Sequence, residues 1–185
     1  MFELPAFTSE GLLPAGDYPL TLDQLEESIV VLGPSEPKIC PHWDAHWRHQ
    51  LVTNLRPLAG QLWEVGIDEI YIDGSFVEDK DHPNDIDGYF ACDAIQIASG
   101  ELERELNKLD TYRSWTWDHT KRRPYKGYPK LQLPMWHAHR IELYPHFMGS
   151  IAGVDTHGNT LEFPAYFRTC RRTGKQKGIV TLVQS

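Results

Sequence analysis

Cysteine is scarce in this chain. There are three, Cys40, Cys92 and Cys170, an odd number with no CxxC or zinc-finger spacing. This argues against a disulfide scaffold and a cysteine-built zinc site, and points to reduced thiols in a cytoplasmic protein. Long apolar runs are missing: nothing approaches the roughly 20 residues of a membrane span, so no membrane association is expected. The opening stretch MFELPAFTSEGLLPAG has no basic segment followed by an apolar core, so no secretory leader is expected in it. Positive charge is in deficit, with 18 Lys and Arg against 26 Asp and Glu and a formal net charge of −8. Non-specific wrapping of DNA needs a basic surface, so it is not expected here. There is no internal repeat and no low-complexity tract.

What is present is a globular composition. The 185 residues suit one compact domain, large enough to bury roughly 70% of the unfolded surface without a disulfide or structural zinc. Cations gather in the second half: Lys121, Arg122, Arg123, Lys126 and Lys130 form one cluster, and Arg168, Arg171, Arg172, Lys175 and Lys177 another. Each reads either as a solvated loop or as a substrate clamp.

Residues 1–20, rich in Pro and Gly, read as an irregular arm. Thr21-Leu-Asp-Gln24 fits a capping box and opens a helix reaching about Val31, ahead of Gly33-Pro34. Leu51, Leu55, Leu58 and Leu62 give residues 42–65 one buried helical face, and Pro57 predicts a kink or break near Arg56. Gly66 ends that helix. Ile70 and Ile72 alternate as in a strand. Residues 85–92 read as a second strand, 99–112 as an acidic amphipathic helix with Leu102, Leu106 and Leu109 inward, and 115–134 as irregular. His137 to Phe147 reads as a third strand, 155–159 as a turn, and 178–183 as a short strand or the start of a helix. The order predicts an α+β or α/β fold with helices packed on a sheet.

The chemistry concentrates in one segment. In a strand, residues two apart share a face, so Asp85 and Asp87 project together while Ile86 enters the core. Two adjacent carboxylates repel unless a cation or proton joins them. Mg²⁺ is the natural cation, because it prefers oxygen ligands and keeps waters or phosphates in its shell. Glu142, between Ile141 and Leu143, is placed on one strand face, shared with Arg140 and Ala138. His137 and His139 fall on the other face, where packing beside Trp136 is the simpler role. A third carboxylate beside the pair can hold two Mg²⁺ about 3.5–4 Å apart. Glu142 could instead pair with Arg140 or a lysine as a structural ion. Gly74 lets backbone approach a phosphate, and the Ser75 hydroxyl can donate to it. Asp73, just before this bend, is a candidate cap for it. His42, His46 and His49 have helical spacing but no fixed fourth ligand, so a surface or packing role is expected over a zinc face.

Gly74-Ser75, nine residues, then Asp85-Ile86-Asp87, with a later apolar-Glu142-apolar strand, resembles the polymerase-beta-like nucleotidyltransferase superfamily. Leu13-Pro-Ala-Gly16, Gly74-Ser-Phe76, Pro83-Asn-Asp-Ile-Asp87 and Gly178-Ile-Val180 are similar to the motifs of a small uncharacterised bacterial family of nucleotidyltransferase-like proteins. The resemblance implies a nucleotidyltransferase-like mixed β-sheet in which Asp85, Asp87 and Glu142 are catalytic and bind Mg²⁺ or Mn²⁺. It implies that Gly74, Ser75, Lys80 and Arg140 contact the phosphates of a nucleoside triphosphate, expected to be ATP. The implied activity is transfer of a nucleotidyl group to a protein hydroxyl, a tRNA end or a small molecule, in a toxin–antitoxin or phage-defence setting. Two departures stand out: Gly88 follows the Asp pair where an apolar residue is usual, and the third acid is Glu where Asp is commoner. The rival expectations are a nucleotide-binding module without turnover and a protein-interaction subunit whose acids meet a basic partner.

Overall fold

A computed structural model describes residues 4–35 and 40–185, so the first three residues of the N-terminal arm lie outside the described residues. The fold is α+β. In chain order the elements are β1 (Asp17–Leu20), α1 (Leu22–Glu26), α2 (Ile29–Leu32), α3 (Ala45–Glu64), β2 (Ile70–Asp73), a 3-10 turn (Gly74–Val77) and β3 (Ile86–Ala91). There follow α4 (Ala94–Ala98), α5 (Glu101–Leu109), a second 3-10 turn (His119–Lys121), α6 (Pro134–His139), β4 (Ile141–His146), β5 (Ile151–Val154), β6 (Thr160–Glu162), α7 (Phe163–Phe167) and β7 (Ile179–Leu182). Five strands form one mixed sheet in the order β1-β7-β2-β3-β4, and β5–β6 is a separate hairpin. The inner pairs β7–β2 and β2–β3 are antiparallel, while β1–β7 and β3–β4 are parallel.

Strand alternation gives the sheet two unlike faces. Ile70 and Ile72, Ile86 and Phe90, Ile141 and Leu143, Val180 and Leu182 point into the main core. Over them lies α3, whose Leu51, Val52, Leu55, Leu58, Ala59 and Leu62 are buried. Burial of each such aliphatic side chain stabilises the fold by about 1.5–3 kcal/mol. This continuous apolar stripe carries α3 through Pro57 as one 20-residue helix, so the predicted break near Arg56 does not occur.

The predicted irregular arm needs correction as well. Residues 17–20 form β1, paired in parallel with β7. Gly178 N–H donates to Leu13 O and Ile179 N–H to Gly16 O, both at 3.0 Å. A Cβ on Gly178 would stand 2.4 Å from Pro14 O, so only glycine lets the two segments close. The Leu-Pro-x-Gly and Gly-Ile-Val motifs are thus two halves of one junction. Because β1 is an edge strand, Pro19 can lie in it without breaking a ladder on both sides.

The expected capping box is formed by Thr21 and Gln24, but the helix behind it breaks at Glu27-Ser28 into α1 and α2. The predicted strand from His137 begins only at Ile141. Pro134, with φ preset for a first helical turn, starts α6 there instead, and Arg140 ends that helix at φ 61°. His137, His139 and Arg140 therefore do not line the two faces of a strand.

Candidate active site

The second face of the sheet carries the acids. Asp73 pairs with Asp87 across β2 and β3, and Asp87 with Glu142 across β3 and β4. Directly paired residues share a face, with Cβ atoms about 4.5–5.5 Å apart. Asp85, two residues ahead of Asp87, joins them by alternation. The four carboxylates come from three adjacent strands and one strand entrance. Burial and mutual repulsion both act on the aspartate pair. Partial burial pushes Asp87 up to about 8, and the charges of Asp85 and Glu142 push the same way. Burial also raises Asp85, helped by Glu142 and opposed by a bond from Trp136 Nε1 to Asp85 Oδ2 at 2.7 Å.

Gly74 stacks the turn against this row. It holds φ +74°, and a Cβ there would come within 2.8 Å of Asp87 Oδ2. Glycine is needed for both reasons, and Ser75 follows it in the 3-10 turn. Gly88 is also required to be glycine: a Cβ would meet Tyr71 O at 2.4 Å and Leu143 Cδ2 at 2.8 Å.

Buried cations fix the surroundings. Arg48 of α3 is fully buried and donates to the carbonyls of Val30 and Phe76 at 2.6 Å, of Glu78 at 3.0 Å, and of Lys80. Its guanidinium sits 3.8 Å over the Trp43 ring. It thereby pins the connection between the Gly74-Ser75 bend and the aspartate pair. Lys177, also buried, reaches Gly74 O at 3.1 Å, Glu78 Oε1 at 2.8 Å and Asp73 Oδ1 at 3.1 Å. Burial pushes Asp73 up to about 7 against the pull of Lys177 and the Gly74 N–H.

Glu142 stands where the sequence predicted, but it is clasped. Its Oε1 accepts from Leu133 N–H at 3.0 Å and from Arg122 Nη1 at 3.2 Å, and its Oε2 accepts from the Tyr144 hydroxyl. Arg122 Nη2 in turn donates to Tyr144 at 3.0 Å. The partner is therefore Arg122, not Arg140 or a lysine. Arg140 departs from its predicted place beside Glu142: its guanidinium lies 3.9 Å over Trp136 and 4.1 Å over Tyr125. Lys80 is exposed, and its charge is felt by Asp85, as is that of Arg171. His42, His46 and His49 are exposed, with His49 3.8 Å from Glu26.

Among the described residues no three His, Cys, Asp or Glu side chains already converge on a metal position. The aspartate pair itself fits a hard divalent cation. Its donors are oxygens only, and the burial and neighbouring acid charges that push Asp87 up to about 8 are what a bound cation would offset.

The sheet is α+β in setting, with one face packed on α3 and a second that carries the acids at one end and a smaller apolar cluster of Tyr89, Phe167 and Ile179 beside them. The chain belongs to a family of unknown function (DUF6932), whose model matches residues 5–183. No curated protein and no solved structure matches it. No helix among the described residues is long and apolar enough to cross a membrane.

Proposed function

We propose that this protein is a metal-dependent nucleotidyltransferase. The observation that carries the reading is the register of Asp87 with Glu142 on one side and its contact with Gly74 on the other, with Asp85 on the same face. Asp85 and Asp87 are the residues that would hold Mg²⁺ or Mn²⁺, which would supply charge neutralisation for a bound triphosphate. Gly74 and Ser75 offer the close backbone and hydroxyl approach that phosphate oxygens require, while Lys80 and Arg171 add positive charge at the rim. Arg140, being stacked between aromatic rings, is no longer a phosphate ligand in this reading. In the transfer, an acceptor hydroxyl oxygen forms a bond to the α-phosphorus and the α–β phosphoanhydride bond breaks. Pyrophosphate leaves, and the hydroxyl proton passes to a carboxylate of the row. Such chemistry needs mainly positioning and charge stabilisation, which this face provides.

A second reading rests on the clasp. With Arg122, Tyr144 and the Leu133 N–H already on Glu142, the same pocket can bind a nucleotide without turning it over. Incubation of the protein with each labelled nucleoside triphosphate, Mg²⁺ or Mn²⁺ and cell extract separates the two. The transferase reading expects labelled product from wild type and none from the Asp85→Ala/Asp87→Ala variant. Metal-dependent nucleotide binding without product selects the module, and equal labelling by both proteins removes the catalytic claim.

A further inference from the structure

The cations of this acidic chain are unevenly placed. Residues 111–131 hold six of its eighteen Lys and Arg and one of its twenty-six Asp and Glu. Within them the backbones of Arg123 and Gln132 bond reciprocally at 2.8 Å, pinching residues 124–131 into a closed loop. Lys121, Arg123, Lys126 and Lys130 are all exposed on or beside it. Tyr125 interleaves with them and is 41% exposed, though its ring is not free to swing. Trp136 meets it edge-on at 5.2 Å, and the Arg140 guanidinium covers it at 4.1 Å. Tyr128 packs on the same Trp136 at 4.8 Å.

The loop is wired to the acid row at two points. Trp136, under both tyrosines, donates to Asp85. Arg122, at the loop's root, bonds Leu131 O on the loop side and Glu142 on the other. A fixed aromatic platform among exposed cations is what binds single-stranded nucleic acid: cations track phosphates, and a ring stacks a base whatever its identity. A duplex buries its bases and would leave the platform unused.

We infer that the 124–131 loop docks a single-stranded nucleic-acid end and feeds its terminal hydroxyl toward the acids. This rests on the transferase reading for the acceptor role, but the docking itself does not. The test is fluorescence anisotropy with a 12-nucleotide single-stranded RNA in EDTA, with duplex DNA of the same length as the comparison. The expected result is binding of the single strand in preference to the duplex, with affinity falling with salt at a log–log slope of about −2 to −3 for three or four phosphates contacted. Tyr125→Ala should weaken binding roughly tenfold, and Lys126→Glu/Lys130→Glu should weaken it and flatten the salt slope. Equal binding by Tyr125→Ala and wild type, preference for the duplex, or absence of binding overturns the inference. So does labelling of a protein hydroxyl in extract by a wild type that ignores RNA, which makes the acceptor a protein. RNA bound without nucleotide addition leaves the docking standing and removes the transferase reading alone.

Discussion

The two faces of the central sheet are made from alternate residues of the same strands, yet they are governed by opposite physics. On one face Ile72, Ile86, Phe90 and Leu143 meet α3 and its leucines, and exclusion of water suffices to hold them. On the other, from the alternate residues, Asp73, Asp87 and Glu142 stand shoulder to shoulder. The polar face needs Lys177, Arg122, Tyr144 and a proton on Asp87 to be tolerable at all. The first face is optimised for stability. On the second, like charges stand together against their own repulsion, and it is to this face that the proposed chemistry is assigned.

Truncation on the apolar face should cost the most. Phe90→Ala removes a buried ring packed at 6.3 Å from Trp115 and 5.8 Å from Trp117. A loss of about 3–5 kcal/mol is expected, read by urea denaturation. The comparison of faces breaks if this change costs no more than one among the acids. Gly88→Ala, on the same apolar face between Ile86 and Phe90, comes next. Its new methyl meets the backbone oxygen of Tyr71, which cannot rotate away, so β2 and β3 must part. About 1–3 kcal/mol is expected from such overpacking.

The acid face should respond in the other direction. Asp87→Asn keeps the shape and removes a charge that its neighbours oppose, so it should stabilise the protein at pH 8. A gain of about 1 kcal/mol corresponds to relieving a single pKa unit of strain. In the same protein the nucleotidyl transfer proposed above should disappear. Destabilisation of Asp87→Asn at pH 8 would show that the carboxylate is a structural ion, and the contrast between the faces would lose its functional meaning.

How much of this contrast could be read beforehand depends on whether its cause is local. Alternation in Ile70-Tyr-Ile-Asp73 and Asp85-Ile-Asp87 is a local pattern, and it gave both the strands and the side on which the aspartates stand. The Thr21–Gln24 cap is local too. β1 was not legible, because Asp-Tyr-Pro-Leu becomes a strand only when Gly178 lets β7 close against Leu13–Gly16, some 160 residues away. The α6 helix was hidden because Trp-His-Ala-His-Arg alternates like a strand, while Pro134 at the first helical position decides otherwise. Arg122 as the clasp on Glu142 had no signal beyond its place in a basic cluster. Arg48 did have one: it falls on the buried face at helical spacing from Leu51, Val52 and Leu55, where a charged residue demands an internal partner.

The effect most specific to the acid face is its response to pH. Asp87 carries a folded-state pKa of about 8, far above the ordinary carboxylate value near 3.9. Between those values the native state binds more protons than the unfolded chain, so stability falls as pH rises. The contribution of this group is fully present below about pH 4 and is lost as pH climbs through 8. Asp73, pushed up to about 7, adds a second loss of the same sign. The metal-free protein should therefore melt progressively lower from pH 6 to pH 9, by a few degrees, as followed by thermal unfolding. Asp87→Asn should flatten that slope, and Mn²⁺ should flatten it in wild type but not in the variant, because a cation on the aspartate pair replaces the proton. A slope equally steep in Asp87→Asn would place its origin elsewhere in the molecule and leave the two faces alike in their response to pH.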